Sequence, residues 1–483
     1  MNATANPSTN PMANPPVTPA VLASLKDVQH GVSWLDQPGA PEAEAPLIAN
    51  TDADLLIIGG GFTGLWTAIH AKEQDPSRDV VLIDAKTIAH GGSGRNGGFI
   101  SASLTHGLAH GEHIWPKEMP TLVHQGRANL QAIADFVEAE GIDCDLRLVG
   151  KTAIALTPHA KALLPGMFEI HQQWGEDVEL LDQDKVQADV HSPTYLGGLR
   201  VRSGGGLMDP AKLSWGLKTA ALKRGVRIYE NTDAIALKKS TNGSGITVHT
   251  PVASINARKV ALATNGFTPL LKRLRYRMLP IFDHVLVTEP LTASQLDSIG
   301  WSENQGLTDI GNQFHYYRRT PDNRILWGGY DAIYHRGNNT DPRLEHRDQS
   351  HQLLAAQFFT TFPQLEGLRF SNKWAGIIDS TSRFTPAFGT AMGGNLAYAV
   401  GYTGLGTASS RFGALTMLDL LERQKTERTS LTIVTRKPFP FPPEPLRYPI
   451  VQFTRSQLAR EDRTGKRGLW LRTLDFFGLG FNS

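Results

Sequence analysis

A single cysteine, Cys144, is all the thiol chemistry in this chain of 483 residues. That scarcity excludes an intramolecular disulfide and any multi-cysteine zinc site, and it suits a reducing compartment. A buried, idle thiol is the expected role. Charge of one sign is lacking as well, because 48 Lys and Arg stand against 46 Asp and Glu, a formal net of +2. Such a balance provides no global field to draw in nucleic acid or an anionic membrane, so the expected partner is a small molecule. No uncharged apolar run approaches the ~20 residues of a spanning helix. No Lys or Arg precedes Lys26, so the chain opens with neither the charged region nor the apolar core of a secretory signal. The expectation is a cytoplasmic protein without a transmembrane segment, with self-association left open. Repeats and long low-complexity tracts are missing too. Ala, Pro, Asn and Thr dominate the start of the chain, and residues 1 to about 20 read as disordered.

What the chain does have is length and apolar content: at 40% hydrophobic it can bury more than one ordinary core, and two intertwined domains are expected. The strongest signal runs from Asp52 to Asp84. "DLLIIGG" reads as a buried parallel strand, "TGLWTAIHAKEQ" as a helix and "DVVLIDA" as a second strand. Gly59, Gly61 and Gly64 have G-x-G-x-x-G spacing around Phe62 and Thr63, and Asp84 ends the second strand twenty residues after Gly64, followed by Ala85 and Lys86. This is a dinucleotide fingerprint with a mechanism. Gly59 permits the tight turn, Gly61 lets a pyrophosphate approach the backbone, Gly64 lets helix and strand pack closely, and the helix N-terminus faces the phosphate charge.

NAD and FAD share this fingerprint, so the choice rests on the rest of the chain. "GGSGRNGGFISASLTHG", residues 91–107, holds six glycines in seventeen positions. Its Ser93, Gly94, Arg95, Asn96, Gly97 and Gly98 can present successive backbone N–H groups as an anion-binding concavity, and Arg95 can add charge-assisted hydrogen bonds. The plainer alternative is a flexible surface loop. Two distant segments have the form of further walls. "VALATNG" reads as a strand returning to the parallel sheet and ending at Thr264, Asn265 and Gly266. "LAYAVGYTGLG" runs a strand into Gly401, Tyr402, Thr403, Gly404, Leu405 and Gly406, and a helix then starts around Thr407. That helix start offers N–H groups and a dipole term of ~0.3–2 kcal/mol to negative charge.

With "GGGLMDPAKLSWGL", "YYRRTPDNRILWGG", "FPQLEG" and "WAGIIDSTSRFTPAFG", these motifs make the chain resemble the D-amino-acid oxidase/glycine oxidase superfamily of FAD-dependent amine oxidoreductases from about residue 50 onward. More narrowly, it resembles the gamma-glutamylputrescine oxidase-like branch. The resemblance implies an α/β fold, a Rossmann-like FAD-binding domain with a parallel sheet interleaved with an α+β substrate domain whose antiparallel sheet covers the flavin. The expected pieces are a tail over 1–49, an FAD-binding domain over 50–115, 200–270 and 370–425, a substrate domain over 116–199 and 271–369, and a C-terminal strap and helix over 426–483. FAD is implied as a non-covalent cofactor, and no metal is. Asp84 would take the adenosine ribose, and the backbone of Ala234, in a strand after "ENTD", would meet the adenine. Arg95 to Gly98 would line the middle of the cofactor, and Gly401 to Thr407 its pyrimidine edge. Arg383, in a turn where glycine oxidase-like members carry an aspartate, counts among the cofactor residues. Leu405 stands where many relatives have histidine, so the closest relatives' substrate is not assumed.

Amine oxidation by hydride transfer from carbon to flavin N5 needs positioning more than acid–base machinery, and water then hydrolyses the imine. The implied activity is oxidation of a C–N bond in a primary or secondary amine or amino acid, with O2 as the expected acceptor and H2O2 as its product. An amine dehydrogenase with another acceptor and a non-catalytic flavin-binding protein are the alternatives. "HYYRRTPDNRILWGGY" reads as a hairpin with alternating faces. Its Tyr316, Tyr317, Arg318, Trp327 and Tyr330, with Trp374, are candidate substrate walls, each weighed against ordinary sheet packing. Tyr317, Trp374 and His284 are the candidate catalytic positions, and His284 could face the flavin. Arg318 or Arg319 could bind a substrate carboxylate, a solvated hairpin charge being the plainer expectation. His106, His110 and His113 would share a face if helical, but Gly107 and Gly111 argue against a helix there, leaving a polar loop or a place near the flavin. The basic, aromatic C-terminal region could lie on a membrane surface, and packing back onto the body or a partner subunit is expected instead.

Overall fold

Leu55 to Ile58 and Val80 to Ile83 are each at most 4% exposed. Strands buried on both faces read as unbroken apolar runs, because helices must cover both sides of a parallel sheet. In the computed structural model, which describes residues 10–240, 245–267 and 269–480, Thr51–Ile58 runs parallel to Val80–Ile83 on one side and to Ser254–Leu262 on the other. Arg227–Tyr229 extends the first side, and Leu396–Val400 joins the second, within an eight-stranded sheet. The Phe62–Gln74 helix buries every residue from Phe62 to Ala71. A helix apolar on all sides must be enclosed, and this one lies against the Pro210–Lys223 and Gly406–Leu421 helices. Leu65, Trp66 and Ile69 share a core there with Leu213, Leu217, Met417 and Leu418.

The second layer is a ten-stranded, largely antiparallel sheet. Leu279–Thr288 lies between Phe370–Ser380 and Ile325–Gly329, and His315–Arg319 follows. The register sets Trp374 against Val285, Val285 against Gly328, and Gly328 against Tyr316, so these positions and Asp283 share one face. His284, Tyr317 and Trp327 take the other, covered by the Asp348–Thr361 helix through Leu354 and Phe358. This is the expected α/β arrangement of a parallel layer interleaved with an antiparallel one.

The expected disorder to about residue 20 gives way to packed structure over residues 10–20. Met12 is 1% exposed, and its carbonyl accepts a hydrogen bond from Gln357 Nε2. Pro19–Ser24 forms a helix capped by the Thr18 side chain, and Gln29–His30 adds a parallel strand beside Phe370–Ser380. Composition understates this segment because a few apolar anchors, Met12 and Val21, join a core built elsewhere. For residues 1–9 the expectation lies outside the described residues. At the other end, Arg447–Thr464 packs back on the second layer, where Asp462 accepts the N–H groups of Asn312 and Gln313. Among the described residues no helix is long and apolar enough to cross a membrane.

Candidate cofactor and substrate site

Three glycine turns converge where the two layers meet. In the first, Gly59 has φ 108°, and a Cβ there would stand 2.4 Å from the Ala263 carbonyl oxygen. A Cβ on Gly64 would lie 1.8 Å from the Gly59 oxygen, so helix and strand approach as only glycine permits. Gly61 caps the helix, and Ser93 Oγ accepts the Phe62 N–H at 2.9 Å. Thr63 Oγ1 donates to the Tyr402 hydroxyl at 3.0 Å, tying the first turn to the third. Asp84 accepts the Gly60 N–H at 2.6 Å and the Lys86 N–H at 2.8 Å. Burial nevertheless pushes its carboxyl up to about 6. Ala85 and Lys86 are exposed beside it. Thr232 N–H donates to the Asp84 carbonyl at 2.7 Å, which lays the approach to Ala234 alongside. Ala234 itself sits in the loop before the Ala236–Lys239 strand, not within a strand as expected, because the chain is still bound to the Asp84 segment. Beneath lies an ion pair, Lys218 Nζ to Glu230 Oε2 at 2.6 Å, with both side chains 2% exposed.

The second turn is the glycine loop, and it is held rather than loose. Asn96 Nδ2 donates to the Gly92 and Ser93 carbonyls, and its Oδ1 accepts the Gly98 N–H. Two successive carbonyls are gripped by indoles: Trp374 Nε1 donates to Arg95 O and Trp34 Nε1 to Asn96 O, both at 3.0 Å. Gly94 leaves no room for a side chain, its Cβ falling 2.1 Å from the Ala89 oxygen. Arg95 departs from expectation. Its guanidinium donates to Glu345 at 2.5 Å and to the Ala375 carbonyl at 2.9 Å, so its charge joins the two layers instead of facing the concavity. A Cβ on Gly97 would strike the Tyr316 ring at 2.4 Å. At Gly98, with φ 74°, it would meet Met208 O at 2.4 Å and Arg318 Nη1 at 2.6 Å. Arg318 is thus neither a solvated charge nor open to a substrate carboxylate. It is fully buried, donates to Gly98 O and Met208 O, and pairs with Asp145 at 3.1 Å. Arg319 is likewise engaged, donating to Trp301 O and Asn323 Oδ1.

In the third turn, Gly401 has φ 82°, and Asp379 accepts the N–H groups of Gly401 and Tyr402. Its carbonyl accepts the Thr403 N–H at 3.1 Å, and burial pushes its carboxyl up to about 7. A Cβ on Gly266 would lie 3.3 Å from Asp379 Cβ, and Asn265 Nδ2 donates to Ile377 O, so the Thr264–Gly266 stretch meets this turn at Asp379. Sequence reading misses Asp379. Its signal is an acid closing the short apolar run of "GIID". Leu405 is the N-cap of the Gly406–Leu421 helix, without a side-chain cap, and a Cβ on Gly404 would meet nothing within 4 Å. Thr407 opens that helix and is buried. Arg383 points elsewhere, donating to Thr385 Oγ1 and to the carbonyls of Pro386 and Ile433, and so pins the C-terminal strap rather than facing the turns.

The candidate catalytic side chains separate by face. Tyr317 is fully buried on the helix-covered side, its hydroxyl 2.8 Å from that of Tyr195 and in ring contact with Trp327. Tyr330 stacks on His315 there. His284 lies on that side too, 5.1 Å from the His351 ring, with its imidazole pushed down to about 4 by burial. Both are therefore withdrawn from the loop, because strand alternation defines two faces without saying which one meets it. Trp374 and Tyr316 are on the loop side, and the Tyr316 hydroxyl donates to Asp283 at 2.5 Å. Leu108–Ile114 does form a helix despite Gly111, whose Cβ would sit 2.4 Å from Met119 Sδ. His106 precedes it at φ 62°, so the three histidines do not share one face, and His110 Nε2 lies 3.0 Å from Arg383 O. Cys144 is 1% exposed, and burial pushes its thiol up to about 12.

The donor set fits a dinucleotide cofactor: an acid after the second strand, a glycine-capped helix start, and the buried Thr264 hydroxyl, which has no hydrogen-bond partner among the described residues. The family model described as FAD dependent oxidoreductase, DAO, matches residues 54–420. Gamma-glutamylputrescine oxidoreductase of Escherichia coli (strain K12) is 28% identical over 419 residues, covering 85% of this chain and 93% of that protein. Sarcosine oxidase subunit beta of Rhizobium meliloti (strain 1021) is 25% identical, covering 78% and 86%. In fold, glycine oxidase from Geobacillus kaustophilus superposes with a TM-score of 0.65 at 20% identity over 78% of this chain and 96% of that one.

Proposed function

The chain belongs to the family of FAD-dependent oxidoreductases, and from that membership we propose that it oxidises a C–N bond of a primary or secondary amine or an amino acid to an imine, which water then hydrolyses, with O2 as the electron acceptor. FAD, when bound, supplies the hydride acceptor. Gly59 to Gly64 would admit the pyrophosphate, Asp84 would accept from the ribose hydroxyls, and the Ala234 backbone would border the adenine. Ser93 to Gly98 would line the middle of the cofactor, Thr264 to Gly266 would stand beside it, and Gly401 to Thr407 would close over its pyrimidine edge. The observation that carries this reading is the meeting of three glycine turns between the layers, with the second held on two successive carbonyls by the Trp34 and Trp374 indoles. Fixed walls suit a reaction governed by positioning. The E. coli relative, named for gamma-glutamylputrescine, supports an amine, and the sarcosine-named relative supports secondary amines within the same panel.

The decisive measurement is anaerobic bleaching of the purified yellow protein by a panel of acylated diamines, N-methyl amino acids and glycine. At least one class should bleach it, and mixing the bleached protein with O2 should restore the colour within the turnover time. A flavin that stays oxidised against the whole panel would defeat the reading, and slow reoxidation by O2 would point to a different acceptor. Asp84→Ala should weaken FAD binding by about 1–3 kcal/mol, the range for a hydrogen bond to a charged group. Unchanged affinity by calorimetric titration would remove Asp84 from the ribose.

A further inference from the structure

Resting on the amine-oxidation reading, we propose that Asp283, held by Tyr316, binds the protonated amine of the substrate and takes its proton before oxidation. Asp283 lies on the strand at the heart of the second layer, on the face turned to the glycine loop, and its cross-strand neighbour is Gly376. A Cβ on Gly376 would lie 3.5 Å from Arg95 Cβ, so the carboxylate sits directly under the loop. Tyr316 reaches it between two glycines. A Cβ on Gly97 would strike the ring at 2.4 Å, and one on Gly328 would stand 2.6 Å from the hydroxyl. The hydroxyl donates to Asp283 Oδ2.

Tyr316 is the only hydrogen-bond donor to this carboxylate among the described residues, and no Lys or Arg there forms an ion pair with it. Asp283 is 9% exposed. A buried carboxylate without a counter-ion is costly, and an arriving ammonium supplies the missing charge. Two further groups bear on it electrostatically, His315 favouring the anion and Asp331 opposing it. Arg95, across Gly376, is committed to Glu345. Burial outweighs the Tyr316 bond and pushes the Asp283 carboxyl up to about 6, a value suited to a general base near neutral pH.

In the step, one ammonium N–H bond breaks and its proton passes to a carboxylate oxygen of Asp283. The freed nitrogen lone pair forms the C=N bond as the adjacent C–H bond gives up hydrogen and two electrons, as hydride, to the bound flavin. The substrate is oxidised and the flavin reduced. Asp283 then releases its proton to solvent, and water adds to the iminium carbon to give the carbonyl compound and ammonium.

The test uses FAD-loaded wild type, Asp283→Asn and Tyr316→Phe, each first matched for flavin content and melting temperature. Anaerobic flavin reduction by a bleaching amine should rise with pH around a midpoint near 6 in wild type. In Asp283→Asn the rise should move to the alkaline range where the amine deprotonates unaided, with a loss of about 10²–10⁴-fold at neutral pH. Tyr316→Phe should shift the rise upward, since the donor that favours the carboxylate is gone. An unchanged profile in Asp283→Asn, or a loss equal at every pH, would overturn the assignment. Infrared titration without substrate gives an independent readout. Because Asp84 and Asp379 also titrate in this range, the protonated-carboxyl band is read as the difference between wild type and Asp283→Asn: that difference should have a midpoint near 6, and it should move upward in Tyr316→Phe. If no amine bleaches the wild type, the functional reading fails by itself, while a band that Tyr316→Phe leaves in place counts against the Asp283–Tyr316 pair specifically.

Discussion

Lys218→Met is expected to lower unfolding stability by about 3–5 kcal/mol, the cost of stranding one member of a buried ion pair. Lys218 and Glu230 are each 2% exposed, and Lys218 also donates to the Glu42 carbonyl. With the ammonium gone, Glu230 keeps two backbone donors, from Ile88 and Glu44, but no counter-charge. The double change Lys218→Met with Glu230→Gln should recover most of the loss, because it removes the stranded charge as well. Urea unfolding of the three variants measures both steps. A single change that costs no more than the double one would mean that the pair contributes shape rather than charge compensation. Since Ile88, held by Glu230, packs against the same Gly60 turn as Asp84, the single variant should also retain less FAD.

Gly64→Ala should yield protein that is both less stable and nearly colourless. The added Cβ would stand 1.8 Å from the Gly59 oxygen, a backbone atom that cannot rotate away, so the helix must lift from the strand. Overpacking of this kind typically costs ~1–3 kcal/mol, and here the shift lands on the turn that faces the pyrophosphate. Gly404→Ala is the informative contrast. Its φ of 85° is strained for alanine, yet nothing lies within 4 Å of the new Cβ, so only the ~1–2 kcal/mol of left-handed strain is expected. Flavin absorbance per protein and melting temperature separate the two. Full colour and an unshifted melt in Gly64→Ala would show that helix and strand can part without loss.

The first turn is legible in sequence because its spacing is itself geometry. Gly59, Gly61 and Gly64 can serve only a chain that reverses, approaches a ligand and packs a helix close. The rest of the site is less legible, for identifiable reasons. Alternation along "HYYRR" separates Tyr316 from Tyr317 but does not say which face the Asp348–Thr361 helix covers, so the buried Tyr317 and the loop-facing Tyr316 look alike. Arg95, Arg318 and Arg383 are read as charges available to ligands, and all three are committed to protein carbonyls or carboxylates that lie far away in the chain. Asp283 is a lone acid in an apolar strand with no motif to mark it, and Asp379 lies inside "WAGIIDSTSRFTPAFG" with nothing in the spacing to give it a role. Trp34 stands in a stretch that sequence marks only as part of a tail over 1–49, yet its indole holds the glycine loop.

That grip by Trp34 sets an order of events during synthesis. The residues around it are made well before their neighbours: Gln29 and His30 align with Asn372 and Lys373, and Trp34 donates to Asn96 and packs with Val285, Leu326 and Trp374. Contacts so far apart in sequence close late, after the intervening chain has been made and collapsed. The packing around Trp34 is therefore complete only once the chain has been made past Trp374. The second indole on the glycine loop, Trp374, arrives only with the Phe370–Ser380 strand, so the loop is held on both carbonyls only late in biosynthesis.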